Sequence, residues 1–180
     1  VTTPEPDDSS PPTTSNFKRT SLRVFYPFIR SRQTNLTGTF TIDRQSETQD
    51  IVNPSAPQFE DRLGVLRLSA SGSWQNERGS SLFGGLTLSR GQDWFGAISR
   101  ADGIASGVQT SRSESGADID FSKLEGSIGY RTALGGNFGL SLSGRFQSSF
   151  GDALLASERF TSVGADGISA YESGVLQGDN

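Results

Sequence analysis

The chain has 180 residues, a formal net charge of −4, and no cysteine, histidine or methionine. These absences exclude Ser–His triads, thiol chemistry and the usual zinc sites, and with Lys18 and Lys123 as the only lysines no basic cluster is available to neutralise nucleic-acid phosphates. The mean hydropathy of −0.42 and the lack of an apolar run of about 18 residues exclude a membrane-spanning helix, but not a membrane β-barrel, whose strands are apolar only at every second residue.

The first sixteen residues, VTTPEPDDSSPPTTSN, combine Pro, Ser, Thr and acidic residues without the apolar core of a signal peptide. This composition predicts a flexible loop or linker over 1–16. Because the sequence begins with Val1 and contains no Met, we expect it to be a processed or excerpted piece of a longer chain.

Six segments between residues 17 and 150 alternate apolar or small residues with polar ones, which is the period of a two-sided β-strand. In chain order they are SLRVFYPFIR, NLTGTFTID, LRLSASGSWQ, SLFGGLTLS, KLEGSIGYR and NFGLSLSGRFQ. We therefore predict an all-β fold with six antiparallel strands over 17–150.

The predicted connections alternate between short and long. Short links lie around 31–35, 76–80 and 133–137, and long links over 44–61, 90–122 and beyond 149. This alternation is typical of outer-membrane barrels, which have tight periplasmic turns at one rim and long extracellular loops at the other. Six strands cannot close a barrel, since the smallest have about 8. The sequence therefore predicts part of a larger antiparallel transmembrane β-barrel, located in the bacterial outer membrane.

In such a barrel, charged strand residues should face the lumen, because a charge on the lipid side costs about 2 to 4 kcal/mol at the bilayer midplane. The charged residues predicted to face the lumen are Arg23, Arg67, Glu125, Arg131 and Arg145, with Thr39 and Thr87 beside them. The residues predicted to contact lipid are Phe40, Leu68, Leu86, Ile128 and Leu142. A solvated face of a soluble sheet is the competing explanation for the charges.

Four aromatic residues lie near predicted strand ends, where aromatic girdles mark the membrane interface. They are Trp74, Trp94, Phe95 and Tyr130, and ordinary core packing is the alternative explanation for them.

No residue pattern points to catalysis, so we predict that the chain is not an enzyme and has no cofactor or metal site. Ser15 and Lys18 fit a Ser-x-x-Lys spacing, but the predicted flexible leader could not hold a nucleophile in place. Asp118 and Asp120 form a D-x-D pair, which is a weak calcium signal without further ligands and fits a solvated loop better.

The alternating strands and the final segment resemble the barrel of the two-partner secretion transporters, the haemolysin activation/secretion family. The resemblance runs from about Ser21 to Asn180 and is most specific in LRVFYPFIRSRQTNL, GVLRLSASGSW, SLFGGLTLSRGQDWFGA and LLASERFTSVGADGISAYESGVLQGDN. It implies six strands of a barrel of about 16 strands, within the range of known barrels. It also implies an outer-membrane pore that passes an unfolded partner protein from the periplasm to the cell surface.

The final segment, 151–180, resembles the start of the family loop that folds into the barrel lumen and carries a Val-Arg-Gly-Tyr-like motif. The motif and its flanking residues fall on Gly164, Ile168, Ser169, Ala170, Tyr171, Gly178 and Asp179. Ser169 stands where the family has arginine and Ala170 where it has glycine. Since that arginine is thought to dock on an acidic motif of the inner wall, the resemblance implies a loop that is held less firmly in this chain.

Two other functions remain open at this point. A soluble β-sandwich or adhesin-type domain would bind a surface ligand through its long loops, and a barrel of the outer-membrane assembly factors would insert other barrels. A requirement for detergent would separate a barrel from a sandwich. The expected partners of the leading interpretation are a secreted protein and outer-membrane lipid, with no nucleic acid and no small-molecule substrate.

Overall fold

The fold is described by a computed structural model over residues 13–52, 56–112, 115–161 and 177–179. Six strands form one antiparallel sheet in sequence order, which confirms the predicted fold class. They are β1 (Thr13–Arg30), β2 (Thr34–Ile51), β3 (Ala56–Gln75), β4 (Ser81–Gln92), β5 (Ser122–Gly135) and β6 (Phe138–Ser148).

The remaining elements lie in the connections that follow β4 and β6. The helix α1 (Arg100–Ser106) stands between β4 and β5, and a 3-10 turn (Ala156–Glu158) follows β6. The two-residue strands β7 (Phe160–Thr161) and β8 (Gln177–Gly178) pair with each other as a separate small ladder. Within the described ranges, no helix has the length and hydropathy needed to cross a membrane.

The strand register sorts the residues of the sheet onto two faces. Thr41 pairs with Arg67, and Arg67 pairs with Ser89, so odd-numbered polar residues come together on a polar face. Phe40 pairs with Leu68 in the same ladder, so even-numbered residues form an apolar face on the other side. Because successive side chains of a strand point to opposite faces, this register extends the division across the sheet between the bulges, which lie near strand ends at Pro27/Ile29, Gln49/Asp50 and Ala133/Gly135.

The apolar face is exposed across the whole sheet. Nine of its large side chains range in exposure from 42% for Phe40 to 66% for Leu22. The face includes Leu22, Val24, Phe40, Leu68, Leu86, Leu88, Ile128, Leu142 and Phe146. Soluble proteins rarely leave a contiguous apolar patch larger than a few hundred Å² in water, so this face requires an apolar environment.

The buried core lies instead on the polar face, at the end of the sheet where β4 is connected to β5. It consists of Leu63, Val65, Ala117, Ile119, Phe121, Leu154 and Leu155, all at most 3% exposed. Gly91 makes this packing possible, because a β-carbon there would overlap the carbonyl oxygen of Ile119 and the ring of Phe121. The β4–β5 connection and the segment after β6 therefore close over the polar face at this end.

Two predicted boundaries differ from the structure. The long link predicted over 44–61 is wrong, because β2 continues to Ile51 and β3 begins at Ala56. From 44 to 50 this stretch is polar on both sides, so the apolar alternation is lost, but the backbone ladder continues to the end of both strands with one bulge. At the other boundary, β1 begins at Thr13, so the last four residues of the predicted 1–16 linker lie in a strand.

Candidate functional site

A group of buried charged side chains joins the polar face to the segment that follows β6. We call it the ion cluster, and it consists of Asp43 on β2, Arg67 on β3, Lys123 on β5 and Glu158 in the 3-10 turn. The side-chain exposures are 0%, 12%, 4% and 2% in that order. Charged side chains are almost never this buried unless they are paired, so the partners of each charge define the site.

Glu158 is the centre of the cluster and the one member that does not belong to the sheet. Its Oε1 accepts a hydrogen bond from Arg67 Nη2 at 2.5 Å and its Oε2 one from Lys123 Nζ at 2.7 Å. Gln45 Nε2 donates to Oε1 at 3.0 Å, and Lys123 Nζ also donates to the backbone carbonyl of Glu158 at 3.1 Å. Side chains from three strands, β2, β3 and β5, thus hold one residue of the segment that follows β6, which we call the docked segment.

Arg67 connects this half of the cluster to Asp43. Its Nε donates to Asp43 Oδ2 at 2.8 Å, and its Nη1 donates to Ser89 Oγ at 2.9 Å. Asp43 also accepts hydrogen bonds from Arg19, whose Nε lies 3.2 Å from Oδ1, and from the hydroxyl of Ser21. The guanidinium of Arg67 is therefore fixed between two carboxylates, one on the sheet and one on the docked segment.

The register explains why a carboxylate fits at this place. Ser89 pairs with Arg67 on one side and with Lys123 on the other, so the two basic residues lie two strands apart in one row. Strands are spaced by about 4.8 Å, which separates the two backbones by roughly 10 Å. Because Ser89 is small, the space above it is open, and the Glu158 carboxylate occupies that space.

The electrostatics of Glu158 are those of a permanent anion. Burial raises the pKa of its carboxyl, but the attraction and hydrogen bonds of Arg67 and Lys123 outweigh burial and hold the pKa below its usual range. The carboxylate therefore stays ionised at neutral pH and cannot act as a proton donor there. Its two oxygens accept hydrogen bonds from Arg67, Lys123 and Gln45. Chemically the site is a docking contact, which holds the segment after β6 against the sheet.

The residues predicted to face a lumen all lie on strands of the sheet, but they do not form one site. Arg67 enters the ion cluster, and Glu125 reaches it at the edge, where its Oε2 lies 3.2 Å from Lys123 Nζ. Arg145 lies over the ring of Phe160 at 5.7 Å, and Arg131 lies over that of Phe83 at 5.3 Å. Arg23 pairs with Thr41 in the row that contains Arg67. Their assignment to a lumen stays a prediction.

Most of the predicted loop motif lies outside the described residues, namely Gly164, Ile168, Ser169, Ala170 and Tyr171. The two later positions are described. Gly178 pairs with Phe160 in the β7–β8 ladder. Asp179 accepts two hydrogen bonds from Arg112 of the β4–β5 connection.

Sequence reasoning missed Asp43, Lys123 and Glu158. The alternation of KLEGSIGYR already placed Lys123 on the same side as Glu125, and that of NLTGTFTID placed Asp43 on the polar side, so both carried a usable signal. Glu158 carried none, because it lies in a stretch without strand periodicity.

The aromatic residues predicted for strand ends lie at different places around the sheet. Trp94 lies against Gly64 of β3, where a β-carbon would overlap the indole, and its ring stacks on Phe95 at 5.3 Å. Trp74 is 43% exposed near the far end of β3, and Tyr130 pairs with Leu142 within the sheet. A role at a membrane interface stays a prediction.

The D-x-D pair is divided between two different contacts. Asp118 Oδ1 accepts the backbone N–H groups of Arg100 and Ile119, and Asp120 forms an exposed ion pair with Arg90 at 3.2 Å. In the part of the chain that the structure describes, no group of three or more His, Cys, Asp or Glu side chains is arranged to hold a metal ion.

Comparison with known proteins gives one informative match. No protein-family model matches the chain, and no curated protein matches it. Among solved structures, the chain is similar to CdiB from Escherichia coli, a two-partner secretion transporter, with a TM-score of 0.75 at 14% sequence identity. The match covers 93% of this chain but 29% of that chain. It shows that the sheet has the fold of a fragment of the CdiB β-barrel.

Proposed function

We propose that this chain is part of an outer-membrane pore of the two-partner secretion type, which passes an unfolded partner protein from the periplasm to the cell surface. The observation that carries the proposal is the exposed apolar face, opposite a polar face that holds charges. A bilayer would cover the apolar face and leave the polar face to water. The fold shared with part of CdiB supports the same proposal.

The dimensions of the apolar face fit a bilayer. The stretch from Leu66 to Trp74 in β3 extends for about 26 Å along the strand, or roughly 20 Å after the tilt of a barrel strand. The apolar band of outer-membrane barrels is about 25 Å tall. Beyond Leu66 the side chains on this face become polar, with Arg90 opposite Leu66 and Arg44 opposite Gly64.

The polar face has the chemistry that a conduit for unfolded protein needs. On the side of the ion cluster away from the β4–β5 connection, the polar face is lined by hydroxyl side chains. They include Thr37, Thr39, Ser69, Ser71, Thr87 and Ser127. Ser69 and Thr87 share a hydrogen bond of 3.0 Å, and Ser71 and Ser127 are exposed. Hydroxyl groups both donate and accept, so they can exchange hydrogen bonds with any passing backbone without selecting its side chains.

In this proposal the ion cluster anchors the segment after β6 to the inner wall of the pore. The anchor lies at the end of the sheet that carries the long β4–β5 connection, which is the predicted extracellular end. The predicted loop motif from Ile168 to Tyr171 is part of the same proposal, and its support is the sequence resemblance.

Site-directed spin labels test which face meets lipid. Leu68 and Ser69 are neighbours on β3 and lie on opposite faces, so Leu68→Cys and Ser69→Cys form a matched pair. In protein reconstituted into lipid vesicles, the label at 68 should collide mainly with dissolved oxygen and the label at 69 mainly with a water-soluble nickel complex. Equal accessibility at both positions would contradict the proposal.

Secretion itself is tested in cells that produce the protein together with its partner. We expect the partner at the cell surface only when the pore is present. A protein that stays soluble without detergent would instead support the binding-domain alternative. Loss of other outer-membrane barrels, with secretion unaffected, would support the assembly-factor alternative.

A further inference from the structure

Asp179, which follows β8, lies in a second polar contact that is separate from the ion cluster. Its Oδ1 accepts a hydrogen bond from Arg112 Nη1 at 2.6 Å and its Oδ2 one from Arg112 Nη2 at 3.1 Å. Its backbone carbonyl accepts from Gln147 Nε2 of β6 at 3.0 Å, and Arg159 Nε lies 3.6 Å from Oδ1. We call the pair of Arg112 and Asp179 the clasp.

The clasp is not an ordinary surface ion pair. Both side chains are about three-quarters buried, with exposures of 24% and 25%. The guanidinium binds the carboxylate through two parallel N–H donors, and Nη1 also donates to the carbonyl of Leu154 at 2.5 Å. Bidentate, charge-assisted pairs of this kind fix direction as well as distance. Arg112 therefore joins β8 to the segment after β6 in a defined orientation.

The backbone around Arg112 is itself held in place. Arg112 has a φ of 54°, in the left-handed region that a non-glycine residue enters only when its surroundings impose it. The preceding residue, Ser111, donates its backbone N–H to Asp61 Oδ1 of β3 at 2.7 Å and its hydroxyl to the same carboxylate. Ser111 Oγ also accepts from the backbone N–H of Ala156 at 3.1 Å. The sheet thus determines where the guanidinium points.

We propose that Arg112 is the positioning residue for the returning end of the proposed lumen loop, and that the clasp and the ion cluster hold the two flanks of that loop independently. Glu158 fixes the chain before β7, and Asp179 fixes it after β8. The sequence resemblance implies that in the family the loop supplies the arginine and the inner wall supplies the acidic residue. Here Ser169 stands at the arginine position, and the clasp reverses the arrangement, with the arginine on the fixed connection and the acid on the returning strand. This inference rests on the proposed function only for the role of the loop.

Hydrogen exchange of the β7–β8 amides, measured by mass spectrometry on the purified protein in detergent, tests the clasp. We expect Arg112→Gln and Asp179→Asn each to speed this exchange by about tenfold to a hundredfold, the factor that corresponds to losing charge-assisted hydrogen bonds. The matched control is Arg90→Gln, which breaks the exposed pair with Asp120 at the same end of the sheet and should leave the exchange unchanged.

Arg112→Lys provides a second variant, because it keeps the positive charge but loses the two parallel N–H donors. It should protect the β7–β8 amides less than the unmodified protein does and more than Arg112→Gln does. Unchanged exchange in the Gln and Asn variants would overturn the proposal, and so would full protection in Arg112→Lys, which would leave no role for the bidentate geometry. If Arg112→Gln does not fold, Asp179→Asn alone decides, because it keeps the shape of the carboxylate. A pore without conductance would refute the proposed function and leave these exchange results standing.

Discussion

Replacing Glu158 by glutamine should release the segment after β6 from the sheet. Gln has almost the same shape as Glu, so the change removes the charge and leaves Arg67 and Lys123 facing each other across Ser89. Glu158 lies 2.5 Å from Arg67 and 2.7 Å from Lys123. At an effective dielectric constant of ~20, each attraction amounts to about 6 kcal/mol before desolvation.

Desolvation of the three buried ions offsets most of that attraction. Removing one partner of a buried pair costs about 3 to 5 kcal/mol, because a buried charge loses its counter-charge. Arg67 keeps Asp43 and Lys123 keeps the half-exposed Glu125, so the lower end of this range applies. We expect this loss for the docking of the segment, which multiplies the population of the open state by roughly a hundredfold or more.

Thiol labelling measures this opening. The chain contains no cysteine, so a single Ala117→Cys places one reporter thiol in the chain, in the core that the docked segment covers, where Ala117 is 0% exposed. Labelling should be about a hundredfold faster with Glu158→Gln. The control is Glu125→Gln, which contacts the same lysine at 3.2 Å but is 38% exposed, and an exposed pair is worth about 1 kcal/mol at most. Equal acceleration by both variants would refute the assignment of Glu158 as the anchor.

Three further results are expected. Because the lowered pKa of Glu158 makes its stabilisation complete above the usual pKa of about 4.3, the labelling rate relative to that of a fully exposed thiol at the same pH should stay low at pH 5 to 7. This relative rate should rise as the pH falls through the lowered pKa, and Glu158→Gln should show no such step. Gly91→Ala should lower the thermal unfolding temperature, since its β-carbon would overlap the β4–β5 connection. The control Gly139→Ala should leave that temperature unchanged, because its β-carbon would come no closer than 3.7 Å to the backbone of Thr132. Ser169→Arg with Ala170→Gly should lower the resting conductance of the reconstituted pore, and an unchanged conductance would contradict the motif correspondence.

The sheet was predictable because apolar or small residues alternate with polar residues along most of its strands. In LRLSASGSWQ every second residue is apolar or small, and the same positions of β3 lie on the apolar face. Where both sides of a strand are polar, as over 44–50 in β2, this signal vanishes although the strand continues. There the backbone hydrogen bonds to neighbouring strands extend the ladder, and those bonds leave no mark on side-chain composition.

The candidate site was predictable only on its sheet side. Arg67 occupies one of the alternating polar positions of its strand, and this position is enough to assign it to the polar face. The position of Glu158 depends on how the segment after β6 folds back, and it lies 91 residues from Arg67 along the chain. No local pattern specifies a contact at that separation, because the pairing is created by the tertiary fold.

The anchor combines apolar packing with charge. Leu154 and Leu155 of the segment after β6 belong to the same buried core as Leu63 and Val65 of β3. For stability alone, such well-packed apolar residues often serve as well as a buried ion pair. Apolar packing has little directional preference, whereas the Glu158 carboxylate is neutralised only when it lies between Arg67 and Lys123. The ionic contact therefore adds a defined position and orientation to the stability that the apolar core supplies.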